Sequence, residues 1–168
     1  MRPSTSDYGV FYQTYIDYTT SEDLQQLLQE SFTQINSFMD SIPVEKADYA
    51  YAEGKWTLKE LLQHCIDTER IMVYRALCIA RGEKQSLPGF DENSYAAASN
   101  ANIRTWEGLV EEMQLVRKST ILMFDSFNEE QLQQRGSANN HPITCNALGF
   151  IIAGHFLHHE RIVKERYL

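Results

Sequence analysis

The sequence predicts an all-α fold, a four-helix bundle with a long connection between its second and third helices. Four segments of roughly 20 to 28 residues carry apolar residues three and four positions apart, the spacing of helices that bury one face. No segment indicates a convincing pair of strands. The length of 168 residues suits one domain. We therefore expect residues 1–168 to form a single bundle, with the tyrosine-rich residues 1–20 packed along its outside as a strap.

The first two predicted helices have clear ends. The first covers about residues 21–42 and stops before Pro43, because proline cannot continue a helix. The second begins at Thr57, since a threonine followed three positions later by Glu60 is typical of a capping box. It ends at Gly82, a residue type that commonly follows the last helical turn.

The second half of the chain supplies the connection and two further helices. Residues 83–99 form the long connection, which we expect to cross one end of the bundle, since loops of this length are often functional. The third helix is predicted over about residues 100–127. Residues 136–142 are predicted to be a loop, and Thr144 begins the last helix.

Composition excludes several classes of protein. The net charge of −8 without a basic stripe makes binding of a nucleic acid backbone unfavourable. No apolar run reaches about 18 residues, so no membrane span is expected. The three cysteines are widely spaced and form no CxxC pair, which favours reduced thiols in a cytoplasmic protein.

Histidines are concentrated near the end of the chain. Three of the five histidines fall in the stretch "HFLHH", residues 155–159. On a helical wheel, His155 and His159 lie about 20° to either side of the apolar direction, so both point into the core. His158 lies about 80° away, on the flank of the same helix.

Two inward imidazoles one turn apart need partners for their ring nitrogens. A shared metal ion is one solution, because histidines four residues apart can both reach one cation at about 2.1 Å. His64 faces inward on the second helix and can supply a third ligand. Positions 64–75 and 155–166 share five identical residues of twelve, with Thr68 in the place of His159. This predicts three histidine ligands and one open coordination position. Two histidines four residues apart on an apolar helix face can, however, also be purely structural.

Five other residues are candidates for a pocket around this site. Asp67 is expected either to orient an imidazole or to be a solvated carboxylate, and Thr68 either to border the open position or simply to pack. Arg75 can hold an anionic substrate or pair with a carboxylate. Phe90 and Tyr95 lie on the long connection, so they line a pocket only if that connection covers the metal.

Several motifs together resemble the DinB-like family of proposed metalloenzymes. They are the Lys-Trp-Thr start of the second helix, the His-x-x-Asp stretch, the Leu-Pro-Gly-Phe-Asp loop and the Gly-His-x-x-x-His ending. The resemblance extends over nearly the whole chain. It implies a four-helix bundle with one divalent metal ion, commonly zinc or nickel, held by histidines at the positions of His64, His155 and His159. Family members often form homodimers, so a homodimer is also an expectation.

The resemblance leads to three hypotheses about function, and no catalytic residue is assigned in any of them. The first is a metal-dependent enzyme that transfers a low-molecular-weight thiol, such as bacillithiol or mycothiol, to an electrophilic small molecule. The second is a hydrolase in which the metal activates a water molecule. The third is a metal-stabilised protein without catalytic activity, with a role in stress or ligand binding.

Overall fold

A computed structural model describes residues 1–168 and confirms the all-α four-helix bundle. Seven α-helices, three short 3₁₀ helices and one hairpin of two strands make up the chain. The elements are α1 Gln13–Tyr18, α2 Leu24–Asp40, α3 Leu58–Ala80, α4 Glu92–Ala98, α5 Trp106–Asp125, α6 Glu129–Gln133, β1 Arg135–Ala138, β2 His141–Thr144 and α7 Cys145–Arg166.

The four long helices are arranged in an order that does not follow the sequence. Both α3 and α2 pack against α5 and against α7. The consecutive helices α2 and α3 therefore lie diagonally opposite each other, and α3 and α7 are neighbours. This arrangement brings together the two helices that carry the predicted metal ligands.

Capping residues determine where the long helices begin. The Thr57 side chain accepts a hydrogen bond from the Glu60 backbone, and the Glu60 carboxylate accepts one from the Thr57 backbone, so the predicted capping box is confirmed. The helix before the connection ends near Gly82, whose φ of 89° suits glycine. The third long helix starts at Trp106, several residues later than predicted, because Thr105 caps it.

The sequence interpretation missed two elements. The segment predicted as a loop at 136–142 belongs to the β1–β2 hairpin, so the expectation that the chain lacks a strand pair was wrong. Asn139 and Asn140 both have positive φ, at 50° and 61°, as a tight two-residue hairpin turn requires. The long connection also contains α4, which begins after Asp91 caps its first turn.

The core consists of two apolar clusters separated by a polar layer. Along each long helix, residues of one cluster give way to residues of the other, and the change occurs near the middle. Between the clusters, Arg117 of α5 donates two hydrogen bonds of 2.8 Å to the carboxylate of Glu69 of α3. Arg117 also donates to the hydroxyl of Ser31 in α2. The buried ion pair and this hydrogen bond together join three helices.

The N-terminal residues pack against α7. Helix α1 contacts α7, and Arg2 donates to the carbonyl groups of Ile16 and Thr19, which fixes the first residues beside it. The close approach depends on Gly154, because a Cβ at this position would lie 2.0 Å from the carbonyl oxygen of Tyr15. Helix α1 thus lies beside the turn of α7 that carries His155.

Candidate metal centre

Three histidine rings meet between the first half of α3 and the second half of α7. The Nε2 atom of His155 lies 3.1 Å from Nε2 of His64 and 3.2 Å from Nε2 of His159. Their ligand atoms all lie within 4.8 Å of one another, and all three residues are buried. The spacing of four residues within α7 and the pairing of α7 with α3 produce this geometry.

The donor atoms fit a divalent metal ion. Bonds of about 2.1 Å in a tetrahedral site place neighbouring nitrogens about 3.4 Å apart, close to the separations of 3.1 and 3.2 Å that His155 has from the other two rings. A neutral imidazole carries only one N–H, so Nε2 of His155 can donate to only one of its two neighbours. One cation can accept all three nitrogen lone pairs. A set of three imidazoles suits zinc, nickel and related ions.

Burial keeps these imidazoles neutral, which is the form that binds metal. It lowers the pKa of His64 to about 4, against a smaller opposing effect of the Glu92 carboxylate. It also lowers the pKa of His155 and His159 well below the ordinary value, and the neighbouring histidines lower both further. Charged forms of these rings are therefore disfavoured at neutral pH.

The surroundings of the rings are mostly aromatic. The Trp56 ring lies 4.8 Å from the ring of His64, and the Tyr15 ring lies edge-on to that of His155 at 5.3 Å. Thr68 places its hydroxyl 3.5 Å from Nδ1 of His64. The Nδ1 atom of His159 is buried without a protein partner. These contacts hold the rings of His64 and His155 in place mainly by packing.

A pocket of about 370 Å³ opens beside the three rings. Its walls come from α3, from α7, from the N-terminal segment and from the long connection. The residues that line it are Phe11, Tyr12, Tyr15, Trp56, His64, Thr68, Met72, Arg75, Gly89, Phe90, Glu92, Asn139, His155, His158 and His159. The long connection therefore covers part of the site, and the pocket is large enough for a small molecule.

The five candidate pocket residues fall into two groups. Thr68, Arg75 and Phe90 line the pocket together with the histidines. Asp67 lies outside it, on a side of α3 where its carboxylate accepts a hydrogen bond of 2.9 Å from the amide of Gln63. Tyr95 also lies outside it; its ring lies 5.2 Å from that of Phe90 at an angle of 59°, and the residue is 49% exposed.

Sequence reasoning missed several lining residues. The wheel places His158 on the flank of its helix, but α1 covers that flank, so His158 contacts the Tyr15 ring at 5.4 Å and lines the pocket. Tyr12 and Phe11 enter the pocket from the same N-terminal segment. Glu92 enters it from α4, and no pattern in the sequence indicated that position.

The fold and the site define a helical-bundle protein with a candidate three-histidine metal centre. Residues 22–163 match the family model of the DinB superfamily. The chain therefore belongs to the DinB superfamily. None of its helices combines the length and the apolar character needed to cross a membrane.

Relatives of this chain carry names that refer to metal. A protein of Oceanobacillus iheyensis, provisionally named metal-dependent hydrolase OB0413, is 25% identical over 118 residues, which are 68% of each chain. YfiT from Bacillus subtilis, described as a probable metal-dependent hydrolase with an unusual four-helix bundle topology, superposes with a TM-score of 0.71. It is 17% identical, and the match covers 88% of this chain and 90% of YfiT.

A third similar structure is that of a mycothiol-dependent maleylpyruvate isomerase. Its TM-score is 0.68 at 11% identity, and the match covers 92% of this chain but 62% of the isomerase. At such identities the likeness of the solved structures concerns the fold alone.

Proposed function

We propose that this protein binds one divalent metal ion through His64, His155 and His159 and acts as a metal-dependent enzyme on a small molecule. The observation that carries the proposal is that the Nε2 atoms of three neutral imidazoles converge beside a pocket of about 370 Å³. The names of its relatives support the dependence on metal. Three protein ligands leave a further coordination position for a substrate atom, as in catalytic zinc sites.

The reaction we favour is transfer of a low-molecular-weight thiol to an electrophilic carbon. A bound metal supplies Lewis acidity, which lowers the pKa of a thiol that reaches it. In the transfer, an S–C bond forms while the bond from that carbon to its leaving group breaks, and the thiol proton is released with the leaving group. No cysteine lines the pocket, so the thiol must come from a second substrate. The structural similarity to a mycothiol-dependent isomerase supports this choice.

The aromatic lining of the pocket gives the chain its own part in such a reaction. Trp56, Tyr15 and Phe90 present apolar ring surfaces that can orient an electrophile and exclude water from it. A buried carboxylate that could serve as a general base is absent from the lining, since Glu92 is exposed at the rim. Attack by a thiolate requires no such base at the moment of reaction, which favours thiol transfer over hydrolysis.

Hydrolysis is the second candidate, because two relatives are named as metal-dependent hydrolases. In that case Glu92 is the carboxylate best placed to accept a proton from water, because no other Asp or Glu lines the pocket. The two candidates differ in what they consume, so direct assays can separate them.

The test compares two assay panels on the metal-loaded protein with and without a chelator. One panel follows conjugation of bacillithiol, mycothiol or glutathione to monobromobimane, and the other follows hydrolysis of esters and amides. Thiol transfer predicts chelator-sensitive conjugation that His155→Ala abolishes. His141→Ala retains it, because His141 lies outside the pocket. Equal conjugation rates for His155→Ala and the wild type would refute it. Turnover on neither panel, together with a lower melting temperature in chelator, would indicate a non-catalytic metal-stabilised protein.

A further inference from the structure

Arg75 and Arg117 are the two buried arginines, and their surroundings differ. Arg117 is fully buried and forms a bidentate pair with Glu69. Arg75 is 3% exposed, but no carboxylate oxygen lies within 4.0 Å of its guanidinium nitrogens, so it forms no salt bridge. A buried charge without a counter-charge is costly, and proteins usually avoid it. Arg75 is therefore the unusual one of the two.

The guanidinium group of Arg75 has donors to spare. It donates to the carbonyl oxygen of Pro88 at 2.6 Å and, weakly, to the sulfur of Met72 at 3.5 Å. A guanidinium has five N–H groups, so two remain even when the Tyr12 hydroxyl accepts one of them. Arg75 lines the pocket, and the ring of Phe90 lies 5.9 Å from its central carbon. The hydroxyl of Tyr12 is close enough for Arg75 to oppose the rise that burial causes in the pKa of Tyr12.

Arg75 and the histidines lie toward opposite ends of the pocket. His64 and Arg75 are eleven residues apart on α3, which is about 16 Å along the helix axis. The long arginine side chain can lean back toward the N-terminus of the helix and shorten this distance. Thr68 and Met72 lie between them on α3, and Phe11 contributes an apolar wall. A ligand that reaches both ends therefore needs an apolar body.

We propose that Arg75, assisted by the Tyr12 hydroxyl, binds the carboxylate group of a substrate whose apolar body extends toward the three histidines. The ligand class is an aliphatic or aryl-alkyl carboxylic acid in its ionised form. Its carboxylate supplies the counter-charge that Arg75 otherwise lacks, and the planar guanidinium can receive it through two parallel hydrogen bonds. The proposal deepens the proposed function by naming the substrate class, and it rests on that function for the role of the histidines.

The test titrates the full-length protein, as purified and after chelator treatment, with 4-phenylbutyrate and its neutral analogue 4-phenylbutyramide. Isothermal titration calorimetry measures the affinities. We expect the acid to bind about 10- to 100-fold more tightly than the amide, the ratio that charge-assisted hydrogen bonds provide. Arg75→Gln should reduce the acid to the affinity of the amide. Arg81→Gln, an exposed arginine just after the same helix, should not. If the acid still binds more tightly than the amide after chelator treatment, the preference comes from Arg75 and not from a bound metal ion.

A second measurement keeps the inference testable without a ligand. Arg75→Met removes a charge that has no partner, so its melting temperature should equal or exceed that of the wild type, whereas Arg117→Met should lower it. If Arg75→Met is as unstable as Arg117→Met, Arg75 serves to hold the Pro88 loop and the inference fails. Equal or absent binding of the acid and amide, or undiminished acid binding by Arg75→Gln, would also overturn it. Acid binding without turnover on either assay panel would contradict only the proposed enzymatic function.

Discussion

The Nε2 atoms of His64 and His155 lie 3.1 Å apart, although 91 residues separate them in the chain. The contact requires α3 and α7 to be neighbours and to present these rings at the same level of the bundle. His159 adds a third nitrogen from the next turn of α7.

Removal of one ligand should abolish stable metal binding. We expect His64→Ala to weaken affinity by at least about 100-fold, since loss of an outer-shell partner alone costs 10- to 100-fold. Equilibrium dialysis followed by elemental analysis measures the bound metal. His158→Gln is the matched control, because it changes a pocket histidine that is not one of the three ligands. If both variants lose metal equally, the ligand set is different from the one proposed.

Acidification should destabilise the metal-free protein. The pKa of His64 in the fold is about 4, below the ordinary value of 6.5, because of burial. Between these values the unfolded chain takes up a proton that the folded chain refuses, so the free energy of unfolding falls as pH falls. The contribution of His64 to the free energy of unfolding is fully present above pH 6.5. Below that pH, the free energy of unfolding falls by up to about 1.4 kcal/mol per pH unit for one such ring.

Urea unfolding between pH 7.5 and 5 measures this dependence after chelator treatment. His64→Gln should show a flatter profile than the wild type, whereas His141→Gln, which changes an exposed histidine of the hairpin, should not. Identical slopes for the wild type and His64→Gln would show that the His64 imidazole does not resist protonation in the fold.

The buried pair of Glu69 and Arg117 should behave as a unit. Glu69→Ala leaves Arg117 buried without a counter-charge, and we expect it to lower the free energy of unfolding by about 3–5 kcal/mol. The double variant Glu69→Leu with Arg117→Met should be less destabilised than Glu69→Ala, because neither charge remains. Arg70 follows Glu69 in the chain and forms an exposed pair with Glu112. Arg70→Ala should therefore lower the free energy of unfolding by less than about 1 kcal/mol.

Urea denaturation curves provide these free energies. A double variant as unstable as Glu69→Ala would mean that shape or the additional hydrogen bonds, rather than charge, make this layer stable.

Gly154 should be intolerant of even a methyl group. Gly154→Ala places a Cβ 2.0 Å from the carbonyl oxygen of Tyr15, so α1 must move away from α7. We expect a loss of about 1–3 kcal/mol and weaker metal binding, because the Tyr15 ring supports that of His155. Thermal unfolding and metal titration are the measurements. Gly108→Ala is the milder comparison, since its Cβ would lie 2.9 Å from the Thr105 hydroxyl, a side-chain atom that can shift, and would contact no other helix. Unchanged stability in Gly154→Ala would show that α1 is not held closely.

Much of the fold could be predicted from local patterns. Apolar spacing identified the long helices, and the Thr57–Glu60 capping box located the start of α3, since both signals act within a few residues of the chain. The hairpin was missed because its strands have only four residues each and no apolar alternation. The only local sign was the pair Asn139–Asn140, which tolerates positive φ.

The candidate site was predictable only in part. The inward direction of His64, His155 and His159 follows from helical period, because the angle between residues on one helix is a local property. The exclusion of Asp67 and Tyr95 from the pocket depends on neighbours that are distant in sequence, and so does the presence of His158 and Glu92 within it. Helical period gives the direction of a side chain but not what covers it.

The sequence by itself determined that this chain forms amphipathic helices and that three histidines face their apolar sides. Only the tertiary structure decided that α3 and α7 are neighbours while α2 lies diagonally opposite α3, and that α1 and the long connection line the pocket beside the rings. The physical reason is that helical period and capping arise from contacts within a few residues. The choice of packing partner depends instead on burial of whole helix faces against one another, which no single segment encodes.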